Sequence, residues 1–251
     1  MFTIITRKIP LLSRQDIWFY NNQPLELKGN NLFYHAFSLP RNQNIVELNT
    51  VYTTSINLDK TQDKIKSTFK KKLRGYINKG ARTNFKYHIL DISKLYIQNE
   101  LLEYYMLFAQ EKNLEPINKE WFYSACNSGY MTVSQIYFED KPLITHIYLH
   151  DKERSRLQFS FHLPIVKSYN GQFQSLANRY LHWLDIIYFK ENSFKIYDFG
   201  GIPVNSMASL REFKLSFGGI IEEQYNFIIP NGFYAIIYNL KQLLKKIKRG
   251  S

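Results

Sequence analysis

The sequence predicts an α+β protein in which one face of a mixed sheet carries helices. Between residues 130 and 161 the pattern alternates with a period of two and breaks twice at polar turns, the layout of a three-strand antiparallel meander. On either side of it, apolar residues recur every three to four positions, as in helices with one buried stripe. A composition of 45% hydrophobic and 22% charged residues over 251 positions excludes a disordered chain and provides for a sizeable core.

Residues 1–50 are irregular, and asparagines at 21, 22, 30, 31, 42, 44 and 49 suit turns; Leu32–Leu39 is a short apolar piece of strand size. Asn49–Asn57 is rich in β-formers and reads as a strand. A helix follows, with Asp59 as the expected N-cap and Gly80 as the expected C-cap. Its residues Ile65, Phe69, Leu73 and Ile77 step by four onto one face, and its lysines fall on the other. Phe85–Leu90 reads as a strand. Ile97–Asn113 reads as a helix with Leu101, Tyr105, Phe108 and Ala109 inward, and Glu120–Ser128 as a short helix. The meander comprises Tyr130–Phe138, Leu143–His150 and Arg154–Phe161. A helix over Phe173–Lys190 has an expected inner stripe of Leu176, Tyr180, Leu184 and Ile187. Then come a strand, Lys195–Phe199, closed by Gly200 and Gly201, and a short helix over Leu210–Phe217. A β-pair, Ile220–Ile229 with Gly232–Tyr238, completes the sheet. The expected organisation is an N-terminal α/β half with a basic helix over 1–95 and a second domain over 96–251.

Lys and Arg number 33 against 21 Asp and Glu, a net charge of +12 that favours nucleic acid, phosphorylated small molecules or an acidic membrane surface without choosing among them. The charge concentrates in Lys60–Arg82 and Lys241–Arg249. In the tail, Ile237, Leu240, Leu244 and Ile247 form one stripe among lysines: a basic amphipathic helix that either lies on an anionic membrane or packs on its own domain. The single cysteine, Cys126, excludes an internal disulfide and a cysteine-rich zinc site, and is expected to be a buried structural thiol. No His/Asp/Glu spacing resembles a metal site, and none is expected. With no apolar run of membrane-spanning length and no secretory-type start, a soluble protein of the cytoplasm is expected, with the tail as the expected point of any contact with the inner membrane face.

Tyr197-Asp198-Phe199-Gly200-Gly201-Ile202, followed by Glu212-Phe213-Lys214-Leu215-Ser216-Phe217-Gly218-Gly219, resembles the YDxGG…FKxxFGG signature of Fem-type acyltransferases, within the GNAT superfamily. Ala177-Asn178-Arg179-Tyr180-Leu181-His182-Trp183 resembles the family's AN..L.W helix. Arg74-Gly75-Tyr76-Ile77-Asn78-Lys79-Gly80 resembles its R..IRKA segment, with Asn78 and Gly80 as departures. The matches spread from about Val51 to Ile229. The resemblance implies a GNAT-like mixed, mostly antiparallel sheet flanked by helices, split between two central strands, with a reduced N-terminal GNAT-like half. It also implies transfer of an acyl or aminoacyl group onto an amine. Fem members use aminoacyl-tRNA to build peptidoglycan cross-bridges, and related single-chain members acylate amino sugars of surface polysaccharides. This chain is shorter than a double-GNAT Fem enzyme and lacks the coiled-coil arm associated with tRNA. GNAT enzymes hold the coenzyme A pyrophosphate on a loop at a helix N-terminus. Here that loop is Val166–Gln172, with Lys167, Asn170 and Gly171 as the cofactor-binding candidates, and it lacks the R/Q-x-x-G-x-G/A pattern.

Amine acylation needs proton removal, a stabilised acyl oxygen and close positioning of the reactants. Asp198, at the end of a strand before two glycines, either accepts hydrogen bonds from a sugar or amine or caps the turn. Lys214 either binds a diphosphate or the developing oxyanion, or is a solvated lysine; Arg211 is a second phosphate candidate. His182, beside Trp183, is either a base or a packed helix histidine. His146, which alternates with Ile144 and Tyr148, is either a lining residue of the cleft or a satisfied core histidine. Arg74, Lys72 and Lys79 bind acceptor phosphates or tRNA, or form a charged face in water. Gly200, Gly201, Gly218 and Gly219 either permit tight turns and close backbone approach to a ligand or are purely structural.

The function expected is transfer of an acyl group, acetyl from acetyl-CoA or another acyl-CoA, onto the amine of a nucleotide-linked amino sugar in bacterial surface-polysaccharide assembly. The alternatives are aminoacyl-tRNA-dependent transfer onto a peptidoglycan precursor, and a non-catalytic GNAT-fold protein that binds anionic ligands.

Overall fold

The alternating stretch after residue 130 is the expected meander. Its first turn is made by Glu139 and Asp140, both at positive φ, 51° and 58°, the backbone twist that suits a two-residue hairpin turn. A computed structural model describes residues 1–7, 14–27, 29–41, 44–202 and 208–240. In chain order the strands are β1 (Phe2–Arg7), β2 (Arg14–Trp18), β3 (Asn30–Ala36), β4 (Glu47–Asn57), β5 (Phe85–Ile89), β6 (Met131–Phe138), β7 (Lys141–His150), β8 (Arg154–His162), β9 (Ile196–Gly201) and β10 (Ile220–Pro230). The helices are α1 (Gln62–Ser67), α2 (Lys71–Gly80), α3 (Leu95–Glu111), α4 (Lys119–Cys126), α5 (Gly171–Glu191) and α6 (Ala208–Leu215).

The chain forms two compact units, Tyr52–Glu222 and Met1–Val51 with Glu223–Ser251. The boundary read from the sequence, between residues 95 and 96, falls inside the larger unit, where β5 pairs with β6 of the meander. In the larger unit the strand order is β4-β9-β8-β7-β6-β5, antiparallel except for β8 and β9. Those two are parallel because α5 crosses over between them. In the smaller unit the order is β1-β2-β3-β10, with β2 and β3 parallel. Its core gathers Ile17, Phe33, Phe227 and Ile229, with the Phe33 and Phe227 rings stacked at 4.3 Å. The architecture is α+β, mixed and mostly antiparallel in its strands, with flanking helices.

Several elements differ from the sequence reading. The helix after residue 60 is two helices, although its stripe of Ile65, Phe69, Leu73 and Ile77 is buried as expected. The break lies where Ser67 and Thr68 hydroxyls donate to the carbonyls of Lys64 and Ile65, at 2.8 and 2.7 Å, local bonds that compete with helix propagation. Its N-cap is Thr61, whose hydroxyl accepts from the Lys64 amide, and not Asp59. Gly80 is the last helical residue, with Ala81 in the C-cap place. A Cβ on Gly80 would stand 2.4 Å from the Tyr180 ring, so the glycine serves the close packing of α2 on α5. On α5 the buried residues are Leu176, Ala177, Leu181, His182, Asp185, Ile186 and Phe189. The expected stripe through Tyr180, Leu184 and Ile187 is half-buried, because polar residues occupy part of the truly buried face. β1 and β2 were not expected. The strand read over Gly232–Tyr238 is helical: residues 233–240 form helix, in keeping with the tail's apolar stripe at helical spacing. The basic run of that tail, 241–249, lies outside the described residues.

Candidate active site

β8 and β9 run side by side for three pairs, Arg154↔Ile196, Ser155↔Tyr197 and Arg156↔Asp198, and then part. The cause is on the other edge of β8. Ile147 faces Phe159 while Tyr148 faces Leu157, so Gln158 is an extra residue on β8. Such a bulge bends its strand and increases the twist. β9 stays paired to β4 as far as Thr53↔Gly201. The expected split between central strands is therefore present, opening beyond Arg156 and Asp198. Gly200 stands at its base with φ of +77°, and a Cβ there would lie 2.6 Å from the Leu157 carbonyl oxygen. Only glycine combines that backbone conformation with that closeness.

Arg154 and Arg156 are two apart on β8 and so share a face. Between them sits Asp198, buried completely. Its carboxylate accepts from Arg154 Nη1 and Arg156 Nη1, each at 2.9 Å, from the Gly200 amide at 2.8 Å, and contacts the Thr53 hydroxyl. That hydroxyl also accepts from Arg156 Nη1 at 2.9 Å. Arg154 Nη2 reaches Glu222 at 2.7 Å, which accepts from Ser55. Lys214, on α6, is 8% exposed and donates from Nζ to the Gly201 carbonyl at 2.7 Å. Burial, and then the nearby Arg156 guanidinium, bring its ammonium down to about 8. The cluster thus holds Arg154, Arg156 and Lys214 against Asp198 and Glu222, with a surplus cation. The sequence reading missed Thr53, Arg154 and Arg156. Two arginines at alternate positions of a strand otherwise headed for the core were the available signal.

His182 and His146 lie on the α5 side of the sheet. His182 Nδ1 is 2.8 Å from the Tyr197 hydroxyl, which is 2.7 Å from the Tyr148 hydroxyl; the latter donates to Asp185 Oδ2 at 2.7 Å. Asp185 also takes His146 Nδ1 at 2.7 Å and the Tyr87 hydroxyl at 3.0 Å. His146 Nε2 lies 3.1 Å from Asn178 Oδ1. Burial and the neighbouring His146 hold His182 well below the ordinary imidazole range, and burial raises Tyr148 and Tyr197. His182 is therefore neutral at pH 7. Both histidines belong to a buried network, so of the two positions open to His146, cleft lining or satisfied core, it takes the core one.

The remaining candidates are dispersed. Arg74 donates to the carbonyls of Ser67 and Phe69 at the break between α1 and α2. Lys72, Lys79 and Arg211 are exposed. Asn170 is the N-cap of α5, its side chain accepting from the Phe173 amide at 2.9 Å, and Gly171 opens the helix with no atom within 4 Å of where a Cβ would stand. Lys167 pairs with Glu111 at 2.8 Å and borders a cavity of about 550 Å³ walled by Tyr104, Phe108, His162 and Leu163. Cys126 is buried, its thiol pushed up to about 12 by that burial. Among the described residues no group of three or more His, Cys, Asp or Glu is placed to hold a metal ion, and no helix is long and apolar enough to cross a membrane.

No protein-family model matches the sequence, and a search of curated proteins gives no match. Solved structures do match. FemX superposes with a TM-score of 0.57 at 12% identity, over 75% of this chain and 63% of FemX, so the chain spans less than two thirds of that protein. The C-terminal domain of a putative lysylphosphatidylglycerol synthetase from Agrobacterium fabrum gives a TM-score of 0.54 at 13% identity, over 85% of this chain and 71% of that one. L-PGS from Bacillus licheniformis gives 0.52 at 12% identity, over 85% and 72%. Likeness at such identity concerns backbone architecture: the chain has the Fem/GNAT-like fold that its strand split and its paired glycine motifs lead one to expect.

Proposed function

We propose that this chain is an N-acyltransferase that moves an acyl group, acetyl from a coenzyme A thioester, onto the amine of a nucleotide-linked amino sugar in bacterial surface-polysaccharide assembly. The observation that carries the reading is the Lys214 ammonium, fixed beside Gly200 and Gly201 where β8 and β9 part. In the reaction the amine nitrogen bonds to the acyl carbon, the carbon–sulfur bond breaks, and the amine proton leaves with the sulfur as free thiol. No covalent enzyme intermediate is required. Lys214 uses one of its three N–H groups on Gly201, leaving donors for the negative charge that develops on the acyl oxygen. Asp198 is a positioning residue here, because its oxygens already accept from two arginines and from Gly200. His182 is the proposed base, through the nitrogen that Tyr197 does not hold.

The start of α5 suits the donor's diphosphate. First-turn amides of a helix lack intrahelical acceptors, the space above Gly171 is open, and Lys167 stands in the preceding turn. Arg74, Lys79 and Arg211 are candidates for acceptor phosphates, Arg74 with its Nη1 already committed to carbonyls. The basic tail would bring the protein to the inner membrane face. Mixing the protein with acetyl-CoA and a panel of nucleotide amino sugars should release thiol; no turnover with any of them would count heavily against the reading.

A second reading, aminoacyl transfer from charged tRNA, draws support from the likeness to FemX and to lysylphosphatidylglycerol synthetases. Thermal melting separates the two: coenzyme A raises Tm under the first, deacylated tRNA under the second.

A further inference from the structure

Among the described residues, one guanidinium edge in the split has no partner. Arg156 commits Nη1 to Thr53 and Asp198, each at 2.9 Å. Its Nε is buried without any hydrogen-bond partner, and among the described residues none accepts from Nη2. Nε and Nη2 together form the side of the fork that matches two oxygens of a carboxylate or phosphate. The side chain is 4% exposed and anchored through its opposite side, so its orientation is set before any ligand arrives. Buried donors of this kind are nearly always satisfied in folded proteins, and an empty one asks for an occupant.

Gly201 shows the direction of approach. It is exposed, and its backbone is outside the left-handed region. Among the described residues, the nearest atoms to a Cβ built on it are the Tyr52 carbonyl oxygen at 3.9 Å and Arg156 Nη2 at 4.0 Å, ordinary contacts. Unlike Gly200, it is required neither by conformation nor by crowding. What the missing side chain achieves is an uncovered Nη2. Lys214 Nζ, 3.8 Å from the Cβ position of Gly200, adds a second cation beside the same pair of glycines.

We propose that Arg156 and Lys214 form an oxyanion-binding site over Gly200 and Gly201, in which the Nε/Nη2 edge of Arg156 holds a phosphate or carboxylate group of the acceptor substrate in bidentate fashion. The assignment of that group to the acceptor rests on the transferase reading above; the anion site itself does not. Asp198 and Thr53 bind the far side of the guanidinium and do not compete with the ligand. Loss of the Lys214 charge as pH rises through about 8 weakens binding.

The test titrates the full chain with sodium phosphate, sodium acetate and sodium chloride at equal ionic strength, following arginine Nε–H resonances by NMR and Tm in parallel. A protected Nε–H that moves saturably with phosphate, and not with chloride, identifies a phosphate site; movement with acetate instead identifies a carboxylate site. Gly201→Val, a β-branched residue that suits a strand end, is expected to weaken that binding by about tenfold by covering Nη2. Arg156→Lys, which keeps the charge and loses the fork, is expected to do the same. The proposal is overturned if neither anion gives a saturable shift, if chloride gives the same shift, or if Gly201→Val binds as the wild type does. Anion binding without acyl transfer from any donor sinks the transferase reading alone. Acyl transfer with an unresponsive Nε–H sinks this site alone.

Discussion

Asp198 and Lys214 were both marked by sequence as candidates, and the structure separates their parts. Asp198 pairs with both Arg154 and Arg156 in a buried position. Removing one partner of such a group leaves uncompensated charge, so Asp198→Asn is expected to cost about 3 kcal/mol of stability, measured by urea denaturation. A loss confined to turnover, with unchanged stability, would instead make it a proton acceptor. For Lys214, folding brings the ammonium from 10.5 to about 8. Between those values the unfolded chain holds the proton that the folded chain has released, so stability climbs as pH rises through that window. Below it the cost of the buried charge is present in full. Lys214→Met is expected to raise Tm at pH 7 and to change it much less near pH 10.5. In activity, kcat should fall in the wild type as pH passes about 8, and Lys214→Arg should move that fall upward.

At the scale of an element, α5 shows where reading by period fails. Its buried face carries His182 and Asp185 among Leu181, Ile186 and Phe189. A search for apolar stripes therefore selected the neighbouring Tyr180, Leu184 and Ile187, because a satisfied polar network looks like an exposed face when only residue type is known. The network has a stability consequence. Burial lowers His182, and also His150 and His162, from 6.5. Below that value the unfolded chain binds protons that the folded chain refuses, so stability should fall as pH drops under about 6.5. His182→Phe, which fills the same aromatic surroundings, is expected to flatten that acid limb in pH-dependent melting; an unchanged slope would place the titration elsewhere. By contrast α3 and the stripe of α1 and α2 were legible, since Leu101, Tyr105, Ala109, Ile65 and Phe69 are buried and plainly apolar.

At the scale of the whole molecule, the positive charge of the α1–α2 region lies on exposed lysines such as Lys71, Lys72 and Lys79. Solvated surface charges contribute little to stability. Reversing all three to Glu is expected to leave Tm within a few degrees, and to weaken tRNA binding and lessen its salt dependence if tRNA is the donor. No change in a measurable tRNA affinity would remove this face from that role. The fold itself was legible through two kinds of signal. The meander follows from alternation and turn residues. The split was reached only through the resemblance carried by Tyr197–Ile202 and Glu212–Gly219, because a bulge at Gln158 leaves no mark in residue type.

Sequence alone settled the class of architecture, the meander and most of the helices, since these depend on local periodicity and on turn chemistry within a few residues. Tertiary structure decided which charged groups meet. Thr53, Arg154, Arg156, Asp198 and Lys214 come from four separate elements, and only strand register and the crossover by α5 bring them together. The edge of Arg156 left open among the described residues is of the same kind: whether a guanidinium is satisfied depends on every neighbour in space, and no run of residues along the chain encodes that.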